Sequence, residues 1–183
     1  MDQYARLLEV IRLGHPVLRS VAEPVPENWF STGRLSDLSR DLVRTMLEED
    51  GVGLAAPQVA ESLRLFAYWL PGHGETNEVD PTVVVNPELR IVDPDLEEGW
   101  EGCLSIPGLR GLVPRHRRIK IKGRDIDGNG ISFTADGFHA RVIQHEFDHL
   151  DGVVFLDRMI SADSLAYEEE WQRYILAEPD GGD

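Results

Sequence analysis

Apolar residues recur along this chain with two different periods, and the changes between them mark out helices and strands. Leu35, Leu38, Leu42 and Met46 fall three or four residues apart, with Leu47 beside them, which predicts a helix from about Ser36 to Asp50. Ser36 stands where a cap is wanted, and Gly51 ends the pattern. After the small, turn-prone stretch 51–58, Leu63–Leu70 and Thr82–Asn86 read as strands, with a continuation at Leu89–Val92. The polar, glycine-bearing stretch from Pro71 to Pro81 reads as a surface loop. Arg118–Lys122 and Ile131–Thr134 both alternate, and Asp127-Gly128-Asn129-Gly130 between them predicts a β-hairpin. A calcium loop with Gly128 as its invariant glycine would put Thr134 where the bidentate glutamate belongs, so the turn is preferred. A second helix is predicted from Gly137 to Leu150, ended by Asp151-Gly152. A third, polar helix is predicted from Asp163 to Leu176, before a frayed tail at Glu178–Asp183. Residues 1–34, punctuated by Pro16, Pro24 and Pro26, form an extended lead-in. Strands run ahead of helices without regular alternation. This predicts an α+β fold of mainly antiparallel strands packed around the helix at 137–150.

Composition narrows the setting. The 183 residues fit one domain, 1–183, with no internal repeat. The 33 acidic against 18 basic side chains give a net charge of -15, a surface that would repel a phosphate backbone, so DNA is not an expected partner. No apolar run reaches the ~20 residues that cross a bilayer. Met1–Leu13 has no cationic start and is broken by Glu9 and Arg12, so neither a membrane partner nor a signal peptide is expected. With Cys103 as the single cysteine, an intramolecular disulfide is excluded. A reducing, cytoplasmic compartment follows, or an organelle if a leader has been removed.

The sharpest chemical feature is His145-Glu146-Phe147-Asp148-His149. Two imidazoles four apart on a helix share a face and can reach one metal ion, and Glu146 beside them is placed to take a proton from water. A third ligand is needed, and three candidates separate three reaction families. A metzincin would carry a histidine where Phe155 stands, and that option fails. A thermolysin-like zinc endopeptidase would use a later glutamate, such as Glu168, Glu169 or Glu170, although such a charge run is more often a solvated helix face. The third candidate is Cys103, set between Gly102 and Leu104-Ser105-Ile106-Pro107. A thiolate is a strong donor to a divalent cation. On the 137–150 helix, Phe138, Val142, His145 and His149 form one stripe, so apolar side chains lie beside the two imidazoles. The other histidines, His15, His73, His116 and His139, have no motif role. Arg115–Arg118 reads as a solvated strand end.

Three segments, Gly51–Gln58, Glu101–Ser105 and Gln144–His149, resemble in order and separation the three signature motifs of peptide deformylases. Gly14–Arg19 and Val113-Pro114-Arg115 are similar too, and the resemblance spans about residues 8–160. It implies that Cys103, His145 and His149 hold one divalent metal ion, Fe²⁺, replaceable by Zn²⁺, Ni²⁺ or Co²⁺. From the ligands alone, two imidazoles, one thiolate and a water would read as zinc. The resemblance implies Glu146 as general base and then acid, with the Gln58 amide and the Leu104 N–H meeting the formyl oxygen as it becomes an oxyanion. It implies Val52 and Gly53 as strand-like partners of the peptide, with Glu101, Gly102, Arg110, Phe138 and Val142 also bordering the substrate. Glu101 and Asp148 are expected to support the imidazoles, with Arg115 pairing with one of them. The implied reaction is hydrolysis of the N-formyl group of the formyl-methionyl end of newly made polypeptides, releasing formate. A metal-binding relative that is catalytically silent is the non-enzyme alternative, and an intact Gln58, Leu104 and Glu146 set argues against it. The resemblance also implies the ribosome as a partner. Some relatives end in a basic helix suited to ribosomal RNA, whereas residues 161–183 hold seven acidic side chains and one basic, Arg173, so a cationic C-terminal anchor is not expected. Trp171, Tyr174, Ile175 and Leu176 are expected to pack that segment against the body or a second subunit.

Overall fold

The computed structural model describes residues 5–72 and 78–176. Five antiparallel strands follow one another in chain order across a sheet: β1 (Gly53–Ala55), β2 (Leu65–Leu70), β3 (Val79–Cys103), β4 (Ile106–Arg124) and β5 (Gly130–Asp136). A short β6 (Ala166–Tyr167) pairs with β4 at Leu109 and Arg110. Helix α1 (Arg34–Glu48) and helix α2 (Gly137–Leu150) lie on opposite faces of β2. The alternation of that strand explains why. Phe66, Tyr68 and Leu70 join Val142, Ile143 and Leu150 of α2, whereas Leu65 and Ala67 join Leu35, Leu42 and Met46 of α1. A strand buried on both faces reads as a continuous apolar run, as Leu-Phe-Ala-Tyr-Trp-Leu does. Fully burying a side chain such as Phe66 or Leu42 contributes about 1.5–3 kcal/mol.

Helix α2 has the expected bounds, and the expected hairpin forms, with Lys120 opposite Thr134 and Ile121 opposite Phe133, although its strands run beyond Arg118–Lys122 and Ile131–Thr134 to the full lengths of β4 and β5. Its turn is closed by Asp125, whose carboxylate accepts from the Asp127 and Asn129 N–H groups while its carbonyl accepts from Gly128.

Other boundaries differ from expectation. Helix α1 begins at Arg34, after Gly33 at φ 73°, and Ser36 lies inside the helix rather than capping it. The earlier start carries Leu35 into the core. The suggested continuation at Leu89–Val92 belongs to one strand that starts at Val79 and runs on to Cys103. Pro87 and Pro94 interrupt the ladder to β4 without ending it, since register shifts fall between Val85 and Glu88 and between Asp93 and Leu96. The Pro71–Pro81 loop is correspondingly shorter, and its residues 73–77, His73 among them, lie outside the described residues. The lead-in is extended but holds two short 3-10 turns, Pro16–Arg19 and Glu27–Ser31. The third helix shrinks to α3 (Glu168–Trp171), which widens into a π-type turn at Gln172–Leu176. Neither piece buries a residue, although the Trp171 ring lies against Trp100 at 6.1 Å. Tyr174, Ile175 and Leu176 are exposed, not packed on the body. The expected tail at 178–183 lies outside the described residues.

Candidate metal centre

Two elements converge on one point. From α2 comes the stripe of Phe138, Val142, His145 and His149. Facing it, β3 and β4 are joined by the two-residue turn Leu104–Ser105, with Cys103 paired to Ile106. That turn delivers the thiol to the helix, leaving Cys103 Sγ 3.4 Å from His149 Nε2. Among the described residues, Cys103, His145 and His149 form a group whose ligand atoms all lie within 4.8 Å of one another. The lead-in holds the surroundings in place, since the Leu13 N–H donates to the Ser105 carbonyl and the Ile11 N–H to the Gln58 carbonyl.

Behind the ligands lies a buried charge network. Glu101 Oε2 is 2.9 Å from His145 Nδ1, which turns the Nε2 of that ring toward the cluster. Arg115 donates to both oxygens of Glu101, at 2.9 and 3.0 Å, and to Asp148 at 2.5 Å. Asp148 thus supports Arg115, where it is joined by Arg158, and not an imidazole; Arg115 pairs with both carboxylates, not one. Arg115 is also buried, which corrects its reading as part of a solvated strand end; Arg117 and Arg118 are exposed, but they lie within β4 rather than at its end. Burial pushes the Glu101 carboxyl up, but hydrogen bonds from His145 and Arg115 outweigh it and hold the group well below the usual carboxylate range. Burial likewise opposes charge on His145, yet the Cys103 sulfur and Glu101 raise its pKa well above the ordinary value. His149 is held well below the ordinary value by burial, with His145 and Arg115 adding to the effect. One thiol and two imidazoles, with ligand atoms all within 4.8 Å of one another, form a donor set that fits a divalent cation bound by Cys103, His145 and His149.

Glu146 stands beside this group, 4% exposed, and burial pushes its pKa up to about 7. One of its oxygens, Oε2, has no hydrogen-bond partner. Its carboxyl lies against the Gly53 backbone, and a Cβ on Gly53 would come 2.3 Å from Oε1. A side chain at position 53 would therefore displace the Glu146 carboxyl. At Gly51 the close neighbour is Leu104 Cδ1, at 2.9 Å.

Gln58 is 1% exposed and its amide is oriented by its partners. Oε1 accepts from the Ala55 N–H at 2.8 Å, so the NH₂ group faces Cys103 Sγ at 3.5 Å and Ser105 Oγ at 3.3 Å. Among the described residues strand β1 pairs only with β2, and the Val52 carbonyl accepts from the Trp69 N–H on that side. Ladder alternation turns the Gly53 N–H and C=O to the open edge.

A cavity of about 480 Å³ opens over the cluster. Val52, Gly53, Gln58, Glu101, Gly102, Cys103, Leu104, Arg110, Phe138, Val142, His145 and Glu146 all line it, and His149 lies behind, fully buried. Phe138 remains 47% exposed at the rim, whereas Val142 is buried. Glu101 reaches the cavity with both carboxylate oxygens already engaged by Arg115, Arg141 and His145. Sequence reasoning missed Arg141, which ties α2 to Glu101 and to the carbonyls of Glu97 and Val113. A charged residue beside an otherwise apolar stripe was the available signal. Trp100, Ile106 and Glu168 were missed as lining residues. Glu168, on sequence grounds a candidate ligand or part of a solvated helix face, has its carboxylate engaged by Arg110. His15, His116 and His139 serve a turn, a backbone contact and ring stacking.

Fold and cluster together define an α+β metallohydrolase class, with a Cys/His₂ donor set and a buried carboxyl beside open space. Comparison with known proteins narrows this. The sequence model of the family described as polypeptide deformylase matches residues 7–164. "Peptide deformylase 2" of Nostoc sp. is 44% identical over 172 residues, 92% of this chain and 95% of that protein. "Peptide deformylase 2" of Pseudomonas putida is 40% identical, covering 88% and 92%. Among solved structures, a Met-Ala-Ser-bound class I type b peptide deformylase from Acinetobacter baumannii aligns with TM-score 0.80 and 37% identity over 85% of this chain and 99% of that one. A peptide deformylase from Thermotoga maritima aligns with TM-score 0.77 and 40% identity, covering 85% and 99%. The chain belongs to the polypeptide deformylase family, metal-dependent hydrolases that remove the N-formyl group from newly made peptides. The endopeptidase alternative falls with that result. No helix among the described residues is long and apolar enough to cross a membrane.

Proposed function

We propose that residues 1–183 act as one catalytic domain, deformylating the N-terminal methionine of nascent peptides with Glu146 as the proton carrier. The observation that carries this reading is the buried Glu146 carboxyl, one oxygen unpartnered, set beside the Cys103, His145 and His149 donors at the floor of the cavity. A divalent ion held by those three residues supplies, when bound, Lewis acidity toward the formyl oxygen and acidity to water. Glu146 accepts the proton of the attacking water as the new C–O bond forms at the formyl carbon. The Gln58 NH₂ group and the Leu104 N–H donate to the oxygen that gains charge, and one preset donor of this kind contributes about 3–4 kcal/mol. Glu146 then passes its proton to the methionine nitrogen, the C–N bond breaks and formate leaves. Gly53, with Val52, offers the edge of β1 to the peptide backbone. Phe138 and Val142 border the hole for the methionine side chain, while Gly102 and Arg110 line the path of the following residues, with Glu101 beneath them.

The same reading takes Fe²⁺ as the working ion, with Zn²⁺, Ni²⁺ or Co²⁺ as replacements, the cytoplasm as the compartment and the ribosome as the source of substrate. The test is formate release from formyl-Met-Ala-Ser by anaerobically purified, iron-loaded protein. Rapid release that falls on exposure to air supports both the reaction and iron. Absence of release with one equivalent of metal bound rejects the assignment. In the same preparation series, Cys103→Ala is expected to lose the metal.

A further inference from the structure

One residue of the cavity lining, Glu168, comes from beyond the segment that matches the family, 7–164. There β6 adds to β4, placing Ala166 opposite Arg110, and α3 opens on Glu168. The Glu168 carboxylate takes Arg110 in a two-pronged pair, Oε2 on Nε and Oε1 3.2 Å from Nη2. Three further contacts hold the pair in place. The Gln172 side-chain amide donates to Glu168 Oε1 at 3.1 Å. The Arg110 guanidinium lies 5.3 Å from the centre of the Trp171 ring. It also lies close over Gly102, where a Cβ would come 2.8 Å from Nη1. Arg110 and Glu168 both line the cavity that holds the metal-ligand cluster. The other guanidinium lining it, Arg141, is engaged by Glu101 and backbone carbonyls. Glu49 and Asp50 are exposed elsewhere on the cavity lining. With Glu168 in place, the outer cavity therefore presents a neutralised arginine and exposed carboxylates. Without it, Arg110 would offer an open cation to any carboxylate entering along the same wall.

We propose that Glu168 is a specificity-determining residue, whose ion pair with Arg110 makes the enzyme favour formylated peptides carrying a basic rather than an acidic residue two positions after the formyl-methionine. This rests on the deformylase reading. Both side chains keep about a third of their surface exposed, 34% for Arg110 and 29% for Glu168, so the effect is that of a partly screened charge.

The experiment compares kcat/KM for formyl-Met-Ala-Lys and formyl-Met-Ala-Asp, both with amidated C-termini, in wild type and Glu168→Gln. The quantity read is the Lys-to-Asp ratio, in which the fraction of active enzyme cancels. Wild type is expected to favour the Lys peptide, and Glu168→Gln to lower the ratio about two- to fivefold, through KM rather than kcat. Replacing Arg110 by Gln as well is expected to return the ratio toward wild type, whereas a merely structural role for Glu168 would slow both peptides by the same factor. An unchanged ratio in Glu168→Gln overturns the proposal. So does a wild type that processes the Asp peptide as readily as the Lys peptide, a measurement that needs no variant to fold. A wild type that releases formate from neither peptide, nor from formyl-Met-Ala-Ser, rejects the deformylase reading itself.

Discussion

The two charged clusters that border the cavity differ in depth. At its inner end, the side chains of Glu101, Arg115 and Asp148 are at most 8% exposed, and each is tied to at least two partners. At its outer end, Arg110 and Glu168 meet at the surface, held by one short helix that buries nothing. Coulombic interactions weaken in water, while an unpaired charge away from water is very costly. The inner cluster therefore has the strength to fix the orientation of the His145 ring, and its loss should damage the fold. The outer pair can only bias which peptides enter.

The largest expected effect lies in the inner cluster. Arg115→Met leaves Glu101 and Asp148 buried without their shared cation, and a loss of about 3–5 kcal/mol in denaturant unfolding is expected. A change as small as that of a surface pair would dissolve the distinction by depth. Next comes Gln58→Ala, which removes an oriented donor without touching the charge network. Its kcat on formyl-Met-Ala-Ser should fall about 10²–10³-fold, with about 1–3 kcal/mol of stability lost because the buried Ala55 N–H is left without its acceptor, as read by steady-state kinetics and denaturant unfolding. Gly53→Ala drives a Cβ into the Glu146 carboxyl and is expected to lower kcat by up to about 10²-fold while the metal stays bound. Smallest is Arg118→Ala, which breaks an ion pair with Asp136 whose partners are both more than half exposed. Its unfolding midpoint and formate release should match wild type within error.

How far the sequence foretold this arrangement depends on how far apart the cooperating residues lie. Helix α2 and the β4–β5 hairpin were legible because periodicity and a glycine turn are local signals. The candidate site was legible through resemblance of three short motifs, from which Gln58, Cys103, His145 and Glu146 all line one cavity. The full length of β3 was not legible, because Pro87 and Pro94 read as strand breakers, and only the ladder to β4 shows that the register absorbs them. The role of Glu168 was hidden for a similar reason. Its partner Arg110 lies 58 positions away, and a two-residue strand brings them together. Within its own segment Glu168 was one carboxylate in a polar run. The lead-in is another such case, since Ile11 and Leu13 brace the turns that carry Gln58 and Ser105 through backbone hydrogen bonds that no side-chain pattern announces.

The central claim is that Glu146 moves the proton while Cys103, His145 and His149 hold the ion. Its most direct test is a paired determination of bound metal and formate release in Glu146→Ala, beside wild type prepared in the same way. The expected result is one equivalent of metal in both proteins, with kcat in the variant reduced about 10²–10⁴-fold. Wild-type turnover in a metal-replete Glu146→Ala protein would contradict the account.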